Sequence, residues 1–190
     1  MPIKIALLAS GSGSNAESIV NYYSKSSVFE FPLIISNKAD AFVHERAKKL
    51  QIPSFTFSRE DFLVGDEIIT LLKKYDIEYI VLAGFLLKIP TLFIDVYPNK
   101  IINIHPALLP KFGGKGMYGH RVHQAVVDAG ETESGITIHY VNGNYDEGNI
   151  IFQAKCPVLS TDTADTIAQK VHELEYEHFP RVISEIWARQ

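Results

Sequence analysis

Ile3-Lys4-Ile5-Ala6-Leu7-Leu8-Ala9, followed by Ser10-Gly11-Ser12-Gly13-Ser14-Asn15 and then Ala16-Glu17-Ser18-Ile19-Val20, is the stretch that decides the fold. The first run is short and almost wholly apolar, as a strand buried on both faces is. The Gly/Ser run reads as a loop, and the segment after it opens a helix. Glycines let a backbone approach an anion, and the N–H groups at a helix start hold one with the favourable end of the dipole. This is the pattern of a phosphate cradle, with Ser10, Ser12 and Ser14 as hydrogen-bond donors rather than nucleophiles. Gly11-x-Gly13-x-x-Ala16 also fits the dinucleotide fingerprint, which wants an acidic residue about 20 residues on, at the end of the second strand. That strand, Phe31-Pro32-Leu33-Ile34-Ile35, runs into Ser36-Asn37-Lys38, so the acid is missing and a nicotinamide site is disfavoured.

Outward from this stretch, strand and helix patterns alternate. Strands are predicted near residues 3–9, 31–36, 53–57, 78–83 and 101–105, and helices near 15–24, 39–50, 60–75, 118–129 and 163–188. That order implies parallel strands joined by right-handed crossovers. The runs 134–142 and 149–157 have a loop but no helix between them and should pair antiparallel. The expected architecture is α/β: a three-layer α/β/α sandwich, its doubly wound and mostly parallel sheet carrying an antiparallel strand pair toward the C-terminal part, in one domain over residues 1–190.

Composition fits a compact enzyme. A chain of 190 residues, 46% hydrophobic, can bury a sizeable core. A net charge of −4 argues against a general nucleic-acid binder. The longest apolar stretch, Tyr79 to Leu87, is shorter than the ~20 residues of a membrane span, and the opening residues lack a signal-peptide pattern, so none is expected. A cytoplasmic protein without membrane partners is expected. The one cysteine, Cys156, cannot form an intrachain disulfide and reads as a small packing residue.

The chemistry concentrates in Asn103-Ile104-His105-Pro106, at the end of the apolar run Ile101-Ile102. An amide and an imidazole two residues apart on a strand lie on the same side of it. One can donate to an oxyanion, and the other can move a proton near neutrality. Further on, Ile136 to Val141 alternates like a strand and leads into Asn142-Gly143-Asn144-Tyr145-Asp146-Glu147-Gly148. By itself Asp146 is either an Asx-turn residue or a carboxylate that favours an imidazolium beside it.

The Gly11–Asn15 loop, Ser36-Asn37-Lys38-Ala39-Asp40-Ala41, Ala83-Gly84-Phe85, Asn103-Ile104-His105-Pro106 with Leu108-Leu109-Pro110, and Asp146-Glu147-Gly148 occur in one order. Together they resemble the phosphoribosylglycinamide formyltransferases, the folate-dependent transformylases that act on 5-phosphoribosylglycinamide (GAR) in purine synthesis. The Asn/His/Asp part is shared with methionyl-tRNA formyltransferase and formyltetrahydrofolate hydrolase, which carry an additional domain, so the length points to the short single-domain form. The resemblance implies transfer of a formyl group from 10-formyltetrahydrofolate, as co-substrate, to the amine of GAR. In it Asn103 hydrogen-bonds the formyl oxygen, His105 acts as imidazolium, and Asp146 raises the pKa of His105 and relays the proton lost by the amine.

It further implies GAR contacts at Gly13, Ser14, Asn15, His172, Glu173, Leu174 and Glu175. Folate contacts would be Arg59 as a cation, Leu86, Leu87, Lys88 and Ile89 largely through backbone groups, with Asn103 and the loop Asn142, Gly143, Asn144, Tyr145 and Asp146. The partners are the two small-molecule substrates, the protein being a monomer or homodimer. Which of His120 and His123 occupies the family's histidine position stays open. No metal is expected, since His120-x-x-His123 has no second His or Cys cluster to complete a zinc site. His44, His139 and His178 have no motif around them and are expected to be structural.

Gly113-Gly114-Lys115-Gly116 reads as a flexible segment that holds no packed element, either a connector or a mobile flap whose Lys115 meets a substrate anion. Gly13→Val is expected chiefly to impair GAR binding. Two other functions compete with formyl transfer: hydrolysis of 10-formyltetrahydrofolate, and a non-catalytic folate- or nucleotide-binding module. The phosphate loop favours a phosphorylated acceptor over water, and the complete Asn/His/Asp set disfavours a binding module.

Overall fold

The computed structural model describes residues 1–188. In chain order the elements are β1 (Ile3–Leu8), α1 (Ser14–Tyr22), β2 (Phe29–Ser36), α2 (Val43–Lys49), β3 (Ser54–Thr56), α3 (Arg59–Val64) and α4 (Asp66–Lys74). They continue as β4 (Tyr79–Leu82), α5 (Thr91–Val96), β5 (Ile101–His105), α6 (His120–Asp128), β6 (Glu133–Tyr140), β7 (Ile150–Pro157) and α7 (Ala164–Trp187). The strands form one sheet in the order β3-β2-β1-β4-β5-β6-β7. The five strands β1 to β5 are mutually parallel, and β6 is antiparallel to both β5 and β7.

Period-two side-chain alternation divides the core into two layers. Ile3, Ile5 and Leu7 of β1 and Ala9 just after it, with Ile102 and Ile104 of β5 and Ile136 and Ile138 of β6, pack against α1, α2, α6 and α7. Ala6 and Leu8 face the opposite way, onto Phe62 of α3, Ile68 and Leu72 of α4 and Phe93 of α5. The three-layer sandwich read from the sequence is therefore the fold observed. The strand beside β1 carries a bulge: Lys4 pairs with Glu30 but Ala6 with Leu33, so one extra residue sits around Pro32. Proline cannot donate to a ladder, and a bulge is where a strand tolerates it.

Three local expectations need correction. The helix predicted over residues 60–75 is two helices, because Gly65 adopts φ 80° and both ends α3 and begins α4. A side chain there would be strained by that left-handed φ and would meet Leu92 Cδ2 at 2.9 Å. The helix expected from residue 39 starts at Val43, whose N–H is drawn instead to the carbonyl of Gly11 (3.0 Å). Helix α5 was not anticipated. It is only six residues long and opens after Pro90, so it leaves no periodic pattern to read.

Strands β1 and β4 are neighbours, yet the chain leaves β1 toward β2 and β3 and leaves β4 toward β5 to β7. This is the switch point of an open α/β sheet, where a crevice forms at the carboxyl ends of the strands. No helix among the described residues is long and apolar enough to cross a membrane.

Candidate active site

A cavity of about 870 Å³ opens at that switch point. It is lined by Gly11 to Asn15 after β1, by Leu82 to Pro90 after β4, by Asn103 to Pro106 ending β5, and by residues of the β6–β7 loop. Two residues far apart in sequence, Asn103 and His139, are direct register partners across β5 and β6, while His105 lies opposite Thr137. Since Ile102, Ile104, Ile136 and Ile138 turn into the core layer on one face, Asn103, His105 and His139 all project from the other.

The hydrogen bonds fix the protons. His139 Nδ1 is 2.9 Å from the carbonyl oxygen of Tyr140, so in the neutral ring it carries the hydrogen and leaves Nε2 bare. That bare nitrogen accepts from Asn103 Nδ2 at 3.1 Å, and the same amide nitrogen lies 3.5 Å from Asp146 Oδ1. His105 Nε2 donates to the carbonyl of Phe112 at 2.8 Å. Its Nδ1, 3.5 Å from Asp146 Oδ2, is therefore the atom through which a proton comes and goes.

Burial pulls the His105 imidazole below its ordinary 6.5, and the pull of Asp146 and the Phe112 carbonyl in the other direction does not overcome it. Asp146 raises the His105 pKa in the direction expected, but burial outweighs it, so the imidazolium expected to act in the reaction is not the resting form. Burial pushes the Asp146 carboxyl up, but hydrogen bonds and charge from His139, His105 and Gly114 outweigh it and hold Asp146 low. At neutral pH the free site thus pairs a neutral His105, Nδ1 bare, with an ionised Asp146.

Backbone conformation supports this arrangement. Phe112 and Asp146 both sit at φ 56°, a left-handed conformation that aspartate tolerates and phenylalanine seldom adopts. The strained Phe112 presents the carbonyl that orients His105. Glycine is required at 148, where a Cβ would meet the Tyr140 carbonyl oxygen at 1.6 Å, and so the β6–β7 loop closes tightly behind Asp146. The 113–116 segment is tied down at its start, unlike the flexible stretch expected either as a connector or as a mobile flap. A Cβ on Gly113 would lie 2.5 Å from Leu109 Cδ2 and 3.3 Å from Asp146 Cβ, and the Gly114 N–H donates to Asp146 Oδ2 at 2.9 Å. Only Lys115 and Gly116 are free of such ties, and both line the cavity.

Under the α1 end of the cleft Glu175 is almost wholly buried, and its Oε2 accepts from Asn15 Nδ2 (3.0 Å) and meets His172 Nδ1 (2.8 Å). The hydrogen bond to Glu175 raises the His172 pKa. His123 is buried beside this group with Nδ1 unpartnered, and burial, reinforced by His172, lowers it to about 4. His120 is instead exposed at the rim, 3.4 Å from Asp165.

Of the residues expected at the site, Gly13, Ser14, Asn15, Arg59, Leu86, Leu87, Lys88, Ile89, Asn103, His105, Asn142, Asn144, Tyr145, Asp146, His172 and Glu175 line the one cavity. Glu173 and Leu174 do not, because helical geometry turns Glu173 to solvent and Leu174 toward the core. Gly143 is exposed at the loop tip and does not line it either. Ser10 is no phosphate donor: it is buried, bonded to Asn37 Oδ1, and accepts the Leu86 N–H at 2.8 Å. The Leu86 N–H is consequently committed to the protein rather than free for a ligand. Gly13 does more than admit an anion, since a Cβ there would lie 2.4 Å from Val43 Cγ2 at a φ of 72°. Gly13→Val would thus disrupt the packing of α1 on α2 and not merely binding. His139 is the residue sequence reasoning missed, taken as structural when it holds Asn103. His44, bonded to Ser54 and Thr56, and His178, against Phe152, stand outside the cavity.

Residues 3–183 match the family model described as formyl transferase. The chain belongs to the formyl transferase family. Among relatives, a phosphoribosylglycinamide formyltransferase of Haemophilus influenzae is 37% identical over 185 residues, covering 95% of this chain and 85% of that protein. A chloroplastic phosphoribosylglycinamide formyltransferase of Arabidopsis thaliana is 39% identical over 189 residues, and this chain spans 65% of its length. The solved formyl transferase structures agree. The phosphoribosylglycinamide formyltransferase of Anaplasma phagocytophilum superposes with a TM-score of 0.88 at 34% identity, over 98% of this chain and 87% of that one. The Brucella melitensis protein of the same name gives 0.88 at 33% identity, over 100% and 98%. In this formyl transferase, among the described residues, no group of three or more His, Cys, Asp or Glu converges as metal ligands would.

Proposed function

We propose that this chain transfers the formyl group of 10-formyltetrahydrofolate to the amine of GAR, in purine synthesis. The observation that carries the reading is the bare Nδ1 of His105 facing the Asp146 carboxylate at 3.5 Å, in the same cavity that the Gly11–Asn15 loop lines. A proton-moving group and an anion cradle in one cleft suit a phosphorylated amine acceptor. The relatives named above carry that activity in their names.

The amine nitrogen of GAR attacks the formyl carbon, forming the new C–N bond and an oxyanion. Asn103 Nδ2 stabilises the oxyanion by exchanging its long 3.5 Å contact with Asp146 for the developing charge. His105 Nδ1 takes the proton that the amine loses, and the resulting imidazolium is held by Asp146. It then returns that proton to the folate nitrogen as the old C–N bond breaks. His105 thus works as base first and acid second. His139 keeps the Asn103 amide in the right orientation. Gly13, Ser14, Asn15, His172 and Glu175 hold GAR. Arg59, Leu87, Lys88, Ile89, Asn142, Asn144 and Tyr145 hold the folate. The catalytic assignments to Asn103, His105 and Asp146 stand on the same geometry.

The test is an assay with 10-formyltetrahydrofolate, with and without GAR, followed by mass spectrometry of the acceptor. Formyl-GAR forming only when both are present supports the reading. Consumption of the donor at an equal rate without GAR would make the chain a hydrolase. Saturable binding of both with no turnover would make it a binding module.

A further inference from the structure

The Gly11–Asn15 loop does not hold its shape alone. Its carbonyls are taken one by one: Gly11 O accepts the Val43 N–H at 3.0 Å, Ser12 O accepts Arg46 Nε at 2.8 Å, and Gly13 O accepts the Glu17 N–H at 3.0 Å. The first two donors belong to α2, a helix that contributes no residue to the cavity wall. In a trans peptide the carbonyl of one residue and the N–H of the next point in opposite directions. Drawing the Gly11 and Ser12 carbonyls toward α2 therefore turns the N–H groups of Ser12 and Gly13 away from it, toward the cleft that both residues line.

Arg46 is itself held. Its Nη1 is paired with the Glu17 carboxylate on α1, and its guanidinium lies 5.2 Å from the centre of the Phe42 ring. A planar fork with one arm on Glu17 and another on Ser12 O fixes the loop against both helices at once. Both Arg46 and Glu17 side chains are about three-quarters buried, at 24% and 29% exposure, so this pair is not a loose surface contact.

We infer that Arg46, braced by Glu17, is a positioning residue for the phosphorylated substrate: by holding the Ser12 carbonyl it aims the Gly13 N–H at the substrate's phosphate. It touches no reacting atom. The inference rests on the proposed reading of the cleft, but its test does not require turnover.

The experiment compares wild type, Arg46→Met, Arg46→Lys and Glu17→Gln by calorimetric binding of ribose 5-phosphate, by KM for each substrate, and by thermal melting. Arg46→Met should weaken ribose 5-phosphate binding and raise KM for GAR roughly tenfold, the scale of one lost charge-assisted hydrogen bond. The KM for 10-formyltetrahydrofolate and kcat should move less than about twofold, since uniform binding of one substrate is what is lost. Arg46→Lys should restore part of the binding, as lysine can reach one acceptor but not both. Glu17→Gln, which keeps the arginine and loosens its brace, should give a smaller change in the same direction. With the unphosphorylated glycinamide riboside as acceptor, wild type and Arg46→Met should be indistinguishable. Equal rises in KM for both substrates, or an undiminished Arg46→Met defect with the riboside, would overturn the inference. If Arg46→Met does not fold, Glu17→Gln with unchanged ribose 5-phosphate binding would do the same. Failure of the wild type to formylate GAR while it binds ribose 5-phosphate would refute the proposed activity and leave this inference standing on the binding data.

Discussion

Asp146→Asn isolates the charge that the catalytic histidine depends on. Asparagine is among the residues that tolerate the left-handed backbone at this position, and its oxygen can still accept the Gly114 N–H, so the loop should persist. What disappears is the anion 3.5 Å from His105 Nδ1. At an effective dielectric constant of about 20, a unit pair at that distance interacts by roughly 5 kcal/mol. Because Asp146 is partly reached by solvent and its charge is spread over two oxygens, roughly 2–4 kcal/mol is the expected loss when the imidazolium forms. That corresponds to a fall in kcat of about 30- to 1000-fold at pH 7.5. Burial already pulls His105 low, and without Asp146 its pKa should drop further, so the variant's deficit should shrink as pH is lowered toward 5. The assay is a pH–rate profile under saturating substrates, with circular dichroism to verify folding. A variant within threefold of wild type across pH 7–8, or a deficit independent of pH, would refute the role given to Asp146.

His105→Ala should abolish most turnover while leaving ribose 5-phosphate binding intact, checked by kcat and calorimetry; retained turnover would reassign the proton to another group. Gly13→Ala places a Cβ against Val43 in a left-handed position, which should cost about 2–4 kcal/mol and lower the melting temperature by roughly 5–15 °C. His123, ordinarily near 6.5 and held at about 4 in the fold, leaves the folded state with fewer bound protons than the unfolded one between those values. Stability should therefore fall as pH drops from about 6.5 to 4, by about 3 kcal/mol from this group, a slope that His123→Gln should remove in urea titrations. Lys115→Ala should raise KM for one substrate only, in a salt-sensitive way, if the lysine meets that substrate's charge; unchanged KM values at low salt would leave it a solvent-facing residue.

The sequence made β1 and β5 legible because their apolar runs are short and end in residues with no business in a core. It made the layers legible because helical patterns separate the first four parallel strands, although α5, between β4 and β5, left none to read. His139 escaped because its role depends on a register between strands whose paired residues, Asn103 and His139, lie 36 positions apart. Alternation along Ile136 to Tyr140 reveals a strand but not what stands opposite it. The resting charge of His105 escaped for a related reason: proximity to Asp146 was foreseeable, whereas the depth of burial that outweighs it is a property of the assembled cleft. Gly65 and Gly113 show a different limit. A glycine in a sequence signals freedom, while in the fold each is where a side chain would collide with Leu92 or Leu109.

The Asn103–His139 pairing is set by the ladder between β5 and β6 and owes nothing to the 27 residues that connect them, Pro106 to Thr132. Those connecting residues nevertheless supply much of the cleft wall, from Gly114 to His123. The alignment of Asn103 with His139 and the shape of this part of the cleft wall are thus carried by different parts of the chain, one a strand ladder and the other a connecting cassette. Exchanging the cassette should therefore alter that part of the wall while the Asn103–His139 register stays in place. The exception is its first stretch, through Phe112 to Gly114, which is bolted to the frame at His105 and Asp146 and marks where such a graft must begin.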